Sequence, residues 1–148
     1  MNSDPKFNHA WWTLRVALGL APIFSGLDKF SNLLTNWEMY LAPGVPSLLH
    51  VSATTFMHVV GVIEIVVGVL VLTRLTRYAS YILAAWLLAI AANLLSQGLF
   101  FDIAVRDILL AVTAFVLAKL TEVRELALAG QASGATAGVQ SETARRLA

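Results

Sequence analysis

Glu64 lies close to the middle of an apolar run, TTFMHVVGVIEIVVGVLVL (Thr54–Leu72). A Glu side chain is too short to snorkel to either surface from that depth, so the carboxyl group must be protonated, paired or beside water. His58, Gly61, Glu64 and Gly68 recur at helical spacing and share one stripe. An earlier run carries Arg15, Gly19, Pro22, Gly26 and Lys29 on a similar stripe, and a later one aligns Trp86, Ile90, Asn93 and Gln97. In the last run Asp102 precedes Arg106 by one turn, the stabilising order for a helical ion pair. Asp107 projects about 140° away and should meet a different neighbour. Two kinds of chemistry fit these residues. Arg106 and Lys29 can hold an anion. Alternatively, Asn93, His58 or Glu64 can hydrogen-bond a quinone headgroup while Glu64 relays protons. We assign Glu64, Arg106 and Asp107 to catalysis, and His58, Asn93, Lys29 and Trp86 to cofactor binding. The bland alternative is an internal ion-pair network that only fixes helix packing.

Several chemistries are excluded by residue type. There is no cysteine, hence no thiolate metal site, CxxC redox motif or disulfide. Of the three histidines, His9 falls on the wrong face and His50 in a loop, so bis-histidine haem is not expected. No Glu-x-x-His pair, phosphate loop or dinucleotide fingerprint occurs, so no metal site is expected. Ten Lys/Arg against nine Asp/Glu leave a net charge of +1, which suggests no nucleic-acid partner.

The elements that must position these residues follow from composition. The 148 residues are 58% hydrophobic and 13% charged, with a mean hydropathy of +0.75. A soluble domain of this size could not cover so much apolar side chain. Four runs are long enough to cross the hydrocarbon layer as helices, at about residues 11–29, 54–72, 78–95 and 103–120. The expected fold is all-α, an integral membrane four-helix bundle occupying residues 1–126. Arg15 interrupts the first run near its end, where snorkelling and a buried role are both open; no A-x-A cleavage site follows it, so the segment reads as retained. Lys6, Arg74, Arg77 and Arg124 mark one side, predicting both termini in the cytoplasm and a multi-pass protein of the cell (inner) membrane. In the loop SNLLTNWEMYLAPGVPSLL, Leu33, Leu34, Trp37, Tyr40 and Leu41 keep helical spacing, predicting a short interfacial helix ended by Pro43 and Pro46. Residues 127–148 are small and polar and predict a flexible cytoplasmic tail. On this layout Asp28, Lys29, His58, Asn93, Gln97, Asp102, Arg106 and Asp107 fall in the outer third, with Glu64 just beneath them. That clustering predicts a polar pocket opening to the external face or the outer leaflet.

Three segments also resemble one family. LGLAPIFSGLDKF (Leu18–Phe30) is similar to the opening helix of DoxX-like membrane proteins, GVIEIVVGVLVL (Gly61–Leu72) to their second helix, and VRDILLAV (Val105–Val112) to their last. The resemblance covers about Leu14 to Leu120. It implies a four-helix membrane protein of redox metabolism, because the family takes its name from a subunit of thiosulfate:quinone oxidoreductase. It also implies a possible quinone cofactor, and other membrane subunits or further copies of the chain as partners within the lipid bilayer. A non-catalytic accessory subunit of a larger respiratory or other membrane complex is the alternative; a small transporter is disfavoured because four short spans leave little room for alternating access.

Overall fold

The structure, a computed structural model, describes residues 5–147, with side chains through 134. It contains α1 (Pro5–Ser31), a 3-10 turn (Trp37–Tyr40), α2 (Gly44–Leu49), α3 (Ala53–Val71), α4 (Thr76–Ser96) and α5 (Phe101–Leu147), and no strand among the described residues. The helices α1, α3 and α4 are long and apolar enough to cross a membrane. α5 carries Arg106, Asp107 and Lys119 within the fourth expected run.

α1 packs along α3 and α4 along α5, and the two pairs meet where α3 touches α4 and α1 touches α5. Glycine makes the first pairing possible. A methyl group on Gly26 would stand 2.5 Å from the Gly61 carbonyl oxygen, and one on Gly68 would stand 2.5 Å from that of Gly19. The two antiparallel helices therefore touch backbone to backbone at two points, the close approach that small residues allow where lipid offers no hydrophobic drive. α1 continues through Pro22 without a break. Trp11, Leu18, Val67, Val71, Leu83, Ala114 and Leu117 fill the core at the other end of the molecule from the 3-10 turn.

The end of α3 is closed by a residue from another helix. Arg15 donates from Nε to the Val71 carbonyl (3.1 Å) and from Nη2 to those of Leu72 and Thr73 (2.6 Å each). Thr76 Oγ1 donates to Val71 and Thr73 as well. Carbonyls left over at a helix end need donors wherever water is scarce, and Arg15 has this capping role. Its guanidinium also lies within 5 Å of the Trp11 and Trp12 rings.

One segment departs from the sequence-based expectation. The loop after α1 forms a 3-10 turn followed by a helix that begins at the prolines instead of ending there. Pro43 caps α2 and Pro46 sits in its first turn, where a missing N–H costs nothing and a fixed φ favours the helix. Upstream, Asn32 is left-handed (φ 51°), and this stops α1 from continuing into Leu33. At the other end of the chain, α5 runs on as helix through Leu147. Ala127, Leu128, Ala129 and Ala132 are strong helix formers, and no proline interrupts the segment. The side chains from 135 onward and residue 148 lie outside the described residues.

The glycine contacts generate a graded test. Gly26→Ala and Gly68→Ala should each lower stability in detergent by about 1–3 kcal/mol, the usual cost of overpacking. Gly130→Ala, whose new methyl group would meet nothing within 4 Å, should leave thermal stability unchanged or raise it slightly.

Candidate functional site

Lys29 and Glu64 form the centre of the site. Lys29 Nζ donates to Glu64 Oε2 at 2.6 Å, and the residues are only 4% and 5% exposed. Gly26 precedes Lys29 by three residues and Gly61 precedes Glu64 by three, so the backbone contact between α1 and α3 brings the two side chains together. Ser25 closes the triangle, accepting from Lys29 Nζ (3.0 Å) and donating to Glu64 Oε2 (3.2 Å). Burying two charges is costly, and a pair survives at depth only when its remaining valences are met. Trp37 meets part of that need, its ring face 3.6 Å from Lys29 Nζ.

Trp37 is placed there by Asp28. This buried carboxylate accepts from the Trp37 indole Nε1 (2.7 Å), from the backbone N–H groups of Leu33 and Leu34, and from Ser31 Oγ. The loop is pinned at two further points. Asn93 Nδ2 and Gln97 Nε2 both donate to the Tyr40 carbonyl at 2.7 Å, Asn93 Oδ1 accepts from the Ala42 N–H, and Thr54 donates to Glu38. α1, α3 and α4 thus each hold the loop over the end of the molecule.

Beneath it is a cavity of about 600 Å³ whose walls come from all four long helices and the loop. Six of the seven candidate residues border it: Lys29, Glu64, Trp86, Asn93, Arg106 and Asp107. His58 does not; its ring stacks on Phe30 with centroids 4.8 Å apart. Trp86 is distinctive, because its Nε1 is buried with no acceptor at hydrogen-bonding geometry. Its electrostatic partner is the Glu64 carboxylate. Most of the remaining lining, including Leu18, Met57, Val60, Leu83 and Ile90, is apolar, and Ser25 and Thr35 add hydroxyl groups.

The expected Asp102–Arg106 pair does not form. Arg106 pairs with its neighbour Asp107 instead, through Nε at 3.1 Å and Nη2 at 3.0 Å. Asp107 is buried and needs a counter-charge, whereas Asp102 is exposed; the long guanidinium stem spans the angle that a helical projection treats as a separation. Sequence reasoning also missed Ser25 and Trp37. Ser25 lies one turn before Lys29 on the same stripe, which was a readable signal. Trp37 had none beyond being an aromatic in a loop.

A bundle of apolar helices around a buried ion pair and a largely apolar cavity defines an integral membrane protein. The DoxX family model matches residues 10–96, more than half of the chain, and the protein belongs to that family. The match ends at Ser96, before the VRDILLAV segment of α5. No curated protein and no solved structure matches the chain.

The ion pair makes a quantitative prediction. Lys29→Met alone leaves Glu64 buried without its partner and should cost about 3–5 kcal/mol in a denaturation titration. The double change Lys29→Met with Glu64→Met should recover most of that loss, and full additivity of the two single effects would contradict the pairing.

Proposed function

We propose that the protein is a membrane subunit of a quinone-linked oxidoreductase and that it binds a quinone in the cavity under the loop. The observation that carries this reading is the buried Trp86 indole N–H, which has no acceptor at hydrogen-bonding geometry and lies with the buried Lys29–Glu64 pair in a largely apolar chamber. A quinone has a flat apolar ring with carbonyl acceptors, and supplies two-electron, two-proton chemistry when bound. Trp86 Nε1 and Lys29 Nζ are the donors facing such carbonyls, while Glu64, held by Lys29 and Ser25, takes and returns protons. Asp107 keeps Arg106 at the rim, and Asn93 acts by holding the loop. His58 is left out of this site. The chain has no cysteine, and its described residues include no group of His, Asp and Glu able to hold a metal. In this reading electron transfer uses the bound quinone or another subunit.

In this reading α5 is the fourth span, the loop with α2 rests at the outer surface, and both termini lie in the cytoplasm of a cell (inner) membrane. The placement is supported by Lys6, Arg74, Arg77 and Arg124, which gather at the end away from the cavity. A non-catalytic accessory subunit is the second reading. It is favoured by the internal satisfaction of the Lys29–Glu64–Ser25 triangle, which fixes α1 against α3 with no ligand.

Mild-detergent purification from native membranes, followed by quinone extraction and subunit identification, separates the two. Bound quinone, reduced by Glu64→Gln and Arg106→Ala, is the expected result. Trp86→Phe should weaken binding about three- to tenfold, the worth of one net hydrogen bond. Stoichiometric partner subunits with no quinone would favour the accessory role.

A further inference from the structure

The shape of the α1–α5 contact says how a ligand reaches the cavity. At the end away from the loop the two helices are tied together. Trp11 is 3% exposed and donates from Nε1 to Thr121 Oγ1 at 2.9 Å. Arg124 lies 4.0 Å from the Trp11 ring centroid and donates to Asn8. Leu18, two turns further along α1, is still buried at 5%. The next residues on that side, Ala21 and Ser25, are exposed and half-buried respectively, although both border the cavity. On α5 the buried series Thr121, Leu117 and Ala114 likewise gives way to Leu110, which is half-buried, and to Arg106, whose side chain is 61% exposed. Both Leu110 and Arg106 border the same cavity. The α1–α5 seam is thus buried at the far end and exposed beside the cavity, which marks a side opening there. Above it the loop is pinned to three helices and supplies lining residues at that end of the cavity.

We propose that the cavity is entered sideways from the hydrocarbon, through the gap bordered by Ala21, Ser25, Arg106 and Leu110, and that its ligand is an amphiphile whose head occupies the cavity while its apolar tail stays in that gap. This rests on reading the cavity as a ligand site and adds to it the ligand's form and route. A chamber with a polar floor, apolar walls and an opening at membrane depth suits a lipid-soluble molecule and not a free aqueous anion. Arg106 stands at the rim, where its charge marks the limit of the apolar opening.

The test uses the full chain in nanodiscs. The probes are decylubiquinone and its tail-less benzoquinone head, each followed by quenching of tryptophan fluorescence. Ala21→Phe places a ring in the gap at an exposed position. It should weaken decylubiquinone binding at least about tenfold and leave the tail-less probe within about twofold. Val62→Phe, on a lipid-facing site of α3, should change neither. Unaltered decylubiquinone binding in Ala21→Phe would overturn the side entry. If wild-type protein binds neither probe, the quinone reading fails, and a second measurement decides the entry route alone. In bilayers of phospholipid brominated along the acyl chain, the quenching that Trp86→Phe removes reports lipid access to the cavity. Loss of that component in Ala21→Phe supports the opening; its absence from wild-type protein overturns it.

Discussion

A lysine and a glutamate held 2.6 Å apart among apolar helices set the terms for everything around them. Two full charges at that depth are costly, and any spare valence adds to the cost. The surroundings supply what is needed: a serine between the two, a tryptophan face over the ammonium group, and a backbone contact that allows the side chains to meet. The loop is part of the same arrangement, because the bonds Asp28 makes to Trp37 and to the backbone before it help to place that ring over Lys29.

A single helix end consequently serves two functions. Asp28 and Lys29 are neighbours in sequence but face different partners, one organising the covering loop and the other closing the floor of the cavity. Opposite them, Asn93 and Gln97 on α4 hold the loop from the far side through the Tyr40 carbonyl and the Ala42 N–H. The polar residues at this end divide into those that fix the cover and those that face the space beneath it. At the other end, Arg15, Trp11 and Arg124 join three helices through capping and ring contacts.

Much of this was legible in the sequence, and the exceptions have physical reasons. The apolar runs and the two glycine stripes could be read because helical spacing is a property of one segment at a time. Glu64 stood out because no route to water fits its length. Which cation answers it could not be read: Lys29 is 35 residues away, and the choice depends on how α1 crosses α3. Arg106 was given the wrong acid because a wheel projection ignores the reach of a guanidinium and the needs of a buried Asp107. The prolines of the loop read as stops in sequence, although proline is equally at home where a helix starts. His58 shared a stripe with Glu64, yet a further turn along α3 it turns to Phe30.

The paired glycines also bear on how such a chain changes over generations. Gly26 meets Gly61, and Gly68 meets Gly19, each through the other's carbonyl oxygen. No larger residue on one helix can be offset by a smaller one on the other, since nothing smaller than glycine exists. Drift at this crossing therefore has no stepwise path of compensation. Gly26, Gly61 and Gly68, which face backbone carbonyls, carry that limit in full, whereas exposed apolar residues beside them, such as Phe24 and Val62, meet no such limit.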